Sequence, residues 1–151
     1  MTRARARSKA FRRHGAPTMS HEFPIRVYYE DTDLAGIVYY ANYLKFIERA
    51  RTEWVRGLGI DQGRLRDETG IVFAVRRIEA DYLRPATFDD ELVVTTRMQG
   101  ATGARLMLEQ VVQRGAERLF HAVVTLVCLT ETGQPARFPA EIRRLLGVAL
   151  H

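Results

Sequence analysis

The 151-residue sequence predicts an α+β fold, a five-stranded antiparallel sheet wrapped around one long central helix. Three observations carry that reading. A short run of β-branched and aromatic residues, "PIRVYYED", comes first. A segment whose apolar residues recur every three or four positions follows it. Four long strand-like runs, joined by connections too short for crossover helices, make up most of what remains.

The first run reads as a strand. Within "YLKFIERARTEWVRGLG", Tyr43, Leu44, Ile47, Ala50, Trp54, Val55 and Leu58 share one face of a helix of four to five turns. That helix is expected to span about Tyr40 to Leu58, with Asn42 as a cap near its start and its end at Gly57 or Gly59. "DQGRLRDE" then supplies a short helical or irregular connection.

"IVFAVRRIEADYLRPA", "DELVVTTRMQG", "ARLMLEQVVQRG" and "ERLFHAVVTLVCLT" are the four later strands, separated by "TFDD", Gly100 to Gly103 and "RGAE". The last of them is apolar on both faces, which predicts a helix on one side and a partner subunit on the other. "FPAEIRRLLG" closes the chain as a short amphipathic helix.

Composition narrows the classes. Apolar content of 46% and charged content of 27% suit one globular domain. No apolar run approaches the roughly 18–20 residues that span a bilayer, so no transmembrane segment is expected. The single Cys128 forbids an internal disulfide and reads as a small buried hydrophobe, which suits a reducing, cytoplasmic setting. The net charge of +5 is not spread evenly: residues 1–18 hold six Lys or Arg and no acid, leaving the remainder at −1.

Residues 1–18 therefore form a basic arm with too few apolar groups to order itself, and residues 19–151 a single domain. The arm suits an anionic tether or an organellar targeting segment. The plainer alternative is that Met19 is the true start and the arm is not part of the native protein.

The chemistry concentrates in "YYEDTDLAGIVYYANY", where Glu30, Asp31 and Asp33 precede a glycine and the start of the long helix. A carboxylate can act as nucleophile or as general base. A helix start offers free N–H groups and about half a positive charge to a developing oxyanion. Gly36 would let the chain turn back so that Asp33 and those N–H groups face one substrate. Asp31, on the same face as Asp33 in an extended segment, is the nearer neighbour of such a site. Asp31 and Thr32 would hold the turn.

"RVYYEDTDLAGIVYYANYLKFIERARTEW", with "FAVRRIEADYLRPATFDDEL" downstream, closely resembles the hot-dog-fold acyl-CoA thioesterases of the 4-hydroxybenzoyl-CoA thioesterase family, most of all the branch associated with the Tol-Pal cell-envelope system. The similarity runs from about Pro24 to Leu146. It implies an acyl-CoA thioester hydrolase whose carboxylate is Asp33, with Gly36, Val38, Tyr39 and Tyr40 at the substrate and the Tyr40 N–H as oxyanion donor. It further implies a homodimer or tetramer with active sites at subunit interfaces. No metal or redox cofactor is implied, since coenzyme A belongs to the substrate. Many members of that branch have histidine where Tyr40 stands, which leaves the preferred acyl chain open.

Other residues have plainer readings. Glu48 should pair with Arg49 or Arg51 at the surface. His121 should be a packed or interface histidine and Tyr43 a core or interface aromatic, while Arg76, Arg77 and Arg84 suit phosphate clamps for the nucleotide end of coenzyme A or, more commonly, solvated strand residues. From another class, the domain could bind an acyl carrier protein or an envelope protein without turnover. No specific nucleic-acid partner is expected.

Overall fold

The computed structural model describes residues 20–150, so the basic arm over residues 1–18 lies outside the described residues. β1 (His21–Arg26) leads through a one-turn 3-10 helix (Tyr29–Asp31) to the long helix α1 (Asn42–Gly57). The short helix α2 (Gln62–Thr69) follows. Then come β2 (Val72–Tyr82), β3 (Glu91–Ala101), β4 (Arg105–Arg114), β5 (Glu117–Leu129), the two-residue β6 (Pro135–Ala136) and helix α3 (Ala140–Leu150).

All pairings are antiparallel, and the main sheet runs β1-β3-β4-β5-β2, with β6 added beside β5. The α+β expectation holds, with one short strand more than the five expected. β2 stands at the edge of the main sheet although it is 11 residues long.

Alternation decides which side faces the helix. Leu92, Val94, Thr96 and Met98 of β3, Leu106, Leu108, Gln110 and Val112 of β4, and Phe120, Ala122, Val124 and Leu126 of β5 are buried. They meet Phe46, Ile47, Ala50 and Trp54 of α1 in one core. Each large apolar side chain so enclosed contributes about 1.5–3 kcal/mol. Cys128 joins that core, and burial pushes its thiol up to about 11. On the opposite side of β5, His121, Val123, Thr125 and Val127 remain partly exposed.

Several local expectations need correction. The first strand ends at Arg26, because Asp31 bends the "YYED" stretch into a 3-10 turn: its Oδ2 accepts the Tyr28 N–H at 2.8 Å. Asn42 does not cap α1; Ala41 occupies that position and Asn42 is the first helical residue. Its Nδ2 donates to the Asp31 carbonyl at 3.0 Å, tying the acidic turn to the helix. Leu44 is 38% exposed, whereas Phe46, outside the expected stripe, is fully buried.

Candidate active site

The stretch from Thr32 to Val38 is a closed hairpin-like loop. Thr32 bridges Val38 and Ile37 bridges Thr87 in antiparallel fashion. The Asp33 N–H donates to the Ile37 carbonyl and the Gly36 N–H to the Asp33 carbonyl, each at 2.9 Å. Gly36 has φ +81°, a conformation that a Cβ disfavours, which is why glycine suits this turn. Leu34, at the loop tip, is fully exposed.

Asp33 is exposed, and its Oδ1 accepts the Ala35 N–H at 2.9 Å. Its Oδ2 has no hydrogen bond among the described residues, so one oxygen is anchored and the other is available. Asp33, Val38, Tyr39 and Tyr40 line one open cleft of about 380 Å³ beside the start of α1. Gly36 shapes the loop behind them without lining the cleft.

Asp31 does not join Asp33. It is buried, serves the 3-10 turn through the Tyr28 N–H, and lies with Glu30 and Arg49 around a separate depression. The cause is that turn, which removes the extended geometry that would put Asp31 and Asp33 on one face. Thr32 does hold the turn, its Oγ1 donating to the Tyr29 carbonyl at 2.9 Å.

At the helix start the Asn42 N–H is taken by the Tyr39 carbonyl at 2.8 Å. The N–H groups of Tyr40 and Ala41 have no acceptor among the described residues. Tyr43 is buried and stacks on Phe120 with ring centroids 5.0 Å apart. Its hydroxyl accepts the Ala86 N–H at 3.0 Å, and burial raises its pKa.

Over residues 27–146 the sequence matches the family described as the thioesterase-like superfamily. The chain belongs to the thioesterase-like superfamily.

Among relatives of this thioesterase-like chain is the acyl-CoA thioesterase YbgC of Haemophilus influenzae, 42% identical over 80% of this chain and 90% of that protein. The acyl-CoA thioester hydrolase YbgC of Escherichia coli O6:H1 is 39% identical over 74% of this chain and 84% of that one. A probable thioesterase from Bartonella henselae superimposes with a TM-score of 0.76 at 38% identity, covering 80% of this chain and 99% of its own. The expected hot-dog fold is thereby established for this thioesterase-like chain.

The cleft of this superfamily member has a second wall formed by Tyr82, Leu83, Arg84 and Pro85, of which sequence reasoning had weighed only Arg84, as a phosphate clamp, and missed the other three. A signal existed: these residues lie in "ADYLRPATF", within the downstream stretch that carries the resemblance. Arg84 pairs with Glu117 at 3.3 Å and Arg77 with Glu79 at 3.0 Å, both exposed. Glu48 accepts from the Thr52 hydroxyl at 2.8 Å instead of pairing with Arg49 or Arg51, because Arg51 turns inward to Gln110. His121 packs against Glu109, with 2.9 Å between Nε2 and Oε2. Among the described residues no cluster of His, Cys, Asp or Glu could hold a metal ion, and no helix is long and apolar enough to cross a membrane.

Proposed function

We propose that this chain is an acyl-CoA thioesterase in which Asp33 drives hydrolysis and the start of α1 stabilises the oxyanion. The observation that carries the reading is the shared cleft: Asp33 and Tyr40 line one cavity at the end of the long helix. The curated relatives named as acyl-CoA thioesterases support it.

In the general-base form of the reaction, the free Oδ2 of Asp33 takes a proton from water as the water oxygen bonds to the thioester carbon. The carbonyl electrons move onto oxygen, where the Tyr40 N–H and the helix dipole stabilise the charge. Collapse breaks the carbon–sulfur bond, and the proton passes to the leaving thiolate, giving coenzyme A and the free acid. In the nucleophilic form Asp33 itself bonds to the acyl carbon, the carbon–sulfur bond breaks and coenzyme A leaves as a thiolate that takes a proton from water. A second water then cleaves the resulting anhydride, releasing the acid and restoring the Asp33 carboxylate. No metal or further cofactor takes part in either form.

Val38, Tyr39 and Tyr40 receive the acyl or pantetheine portion, with Gly36 setting the loop behind Asp33. The active species is a homodimer or tetramer with the cleft completed at a subunit interface. The long exposed edge of β2, next to the Tyr82 wall, suits that assembly. The setting is cytoplasmic, and the branch is the one associated with Tol-Pal.

Thiol release from short, aromatic and long acyl-CoAs, with Asp33→Asn beside the parent, tests the reading. Turnover should fall by at least roughly 10²–10⁴ in the variant. A folded parent that hydrolyses none of the panel would instead favour the second reading, a binding module for an acyl carrier protein or an envelope protein.

A further inference from the structure

The phenol of Tyr82, the last residue of β2, donates to the Tyr40 carbonyl oxygen at 2.9 Å. The first turn of α1 leaves that oxygen free to accept. A regular helix would send the Leu44 N–H back four residues to Tyr40. Here it goes to the Ala41 carbonyl at 3.1 Å.

The carbonyl of Tyr40 and the N–H of Ala41 belong to one rigid planar peptide unit. In a trans peptide the two bonds point in opposite directions, and no cis peptide occurs among the described residues. A hand on the oxygen therefore fixes the aim of the hydrogen. Ala41 is already αR, with φ −72° and ψ −19°, so its N–H projects from the open end of the helix, where it meets no acceptor among the described residues.

The geometry points to Tyr82 as a positioning residue for thioester hydrolysis, its hydroxyl pinning the Tyr40–Ala41 peptide so that the Ala41 N–H joins that of Tyr40 as a fixed oxyanion donor. This inference rests on the thioesterase reading of the cleft. It adds a second backbone donor and the side chain that aims it.

Four further points agree. A hydroxyl has one proton, and that of Tyr82 is committed to Tyr40, so Tyr82 is not itself the donor to substrate. Accepting a hydrogen bond at the carbonyl polarises the amide and strengthens its N–H as a donor. The half-exposed Tyr82 ring meets Tyr43 edge-on, with centroids 5.6 Å apart, and Phe120 at 5.0 Å, contacts that orient its hydroxyl toward Tyr40. Burial, assisted by the neighbouring Tyr40, also raises the phenol's pKa, which agrees with the hydroxyl acting as a donor.

Tyr82→Phe keeps the ring packing and removes only the hydroxyl. With the acyl-CoA that the parent hydrolyses fastest, kcat should fall roughly 10- to 100-fold while KM changes little. The same acyl-CoA, labelled with ¹³C at the carbonyl, is then bound to Asp33→Asn and followed by infrared difference spectroscopy. Its carbonyl stretch should move to lower frequency on binding, and adding Tyr82→Phe should cancel most of that movement.

If Asp33→Asn is inactive but Tyr82→Phe leaves kcat and the stretch unchanged, the inference is overturned and the role of Asp33 stands. A higher KM or a lower melting temperature, with both readouts unmoved, assigns the hydroxyl to binding or stability alone and equally overturns it. A parent without hydrolytic activity removes the thioesterase reading and this inference with it.

Discussion

Gln110 reaches from the inner face of β4 to the long helix, where its Nε2 donates to the Ile47 carbonyl at 3.0 Å. The same amide nitrogen donates to Thr96 Oγ1 at 2.8 Å, and its oxygen accepts from Arg51 Nη1 at 3.0 Å. One fully buried side chain thus fixes the helix against two strands and gives an inward-turned guanidinium an acceptor. Desolvation lowers the Arg51 pKa, with Glu48 opposing it, and the Gln110 oxygen replaces part of the lost hydration of that guanidinium.

Gln110→Leu should therefore destabilise the fold by about 2–3 kcal/mol, since it strands a charged donor and a buried hydroxyl. Urea unfolding measures the loss. Adding Arg51→Leu should recover part of it, because removing both partners costs less than orphaning one. A double variant weaker than the sum of the single ones would contradict this account.

Gly36→Ala should cost about 1–2 kcal/mol through backbone strain alone. A Cβ there meets no atom within 4 Å, so crowding contributes nothing. Gly36→Asn, which tolerates positive φ better, should restore most of the stability and of the hydrolytic rate. Equal damage from alanine and asparagine in thermal melts and thiol-release assays would point away from the dihedral.

Phe46→Ala and Leu44→Ala should separate sharply, although both lie on the first turns of α1. The first empties a fully enclosed site and should cost about 3–5 kcal/mol. The second trims a side chain that is 38% exposed and should cost under about 1 kcal/mol. Comparable losses in denaturant titrations would refute the assigned orientation of the helix.

Acid should expose the contribution of Glu109. Hydrogen bonds from Arg97 and His121 hold its carboxyl below the ordinary value of 4.5 despite partial burial. The resulting stability is complete above that unfolded-state value and is lost as pH falls through the lower folded-state one. Parent and Glu109→Gln should differ most at neutral pH and converge as pH falls below 4.5 and on through the lower folded-state value. A difference in unfolding midpoint that stays constant from pH 7 to pH 3 would remove the linkage.

Period and parity made most of this architecture legible. The spacing of Tyr43, Ile47, Ala50 and Trp54 located the helix, and alternation in the later strands gave the sheet. Three things were harder to read. A 3-10 turn looked like strand because "VYYED" has β-forming residues, while the deciding bond runs from the Tyr28 N–H to the Asp31 side chain. Phe46 escaped a narrow stripe because the sheet meets α1 over a broader arc than one row of positions.

Tyr82 was hidden for another reason. Its role depends on a contact with Tyr40 across 42 residues of chain, which no local pattern reports. The acidic loop was clearer, since Asp33 and Gly36 carry their geometry in adjacent sequence, and both lie where the turn requires them. Asp31 shows the limit of that clarity: three neighbouring acids look alike in the sequence, and only the fold separates the one facing the cleft from the one serving the backbone.

The loop carrying Asp33 closes mainly through main-chain bonds, and Leu34 at its tip supports none of them with its side chain. Mutational drift at position 34 is therefore uncoupled from the placement of the acid. Descendants of this sequence can retune what the loop tip touches while inheriting the carboxylate unchanged.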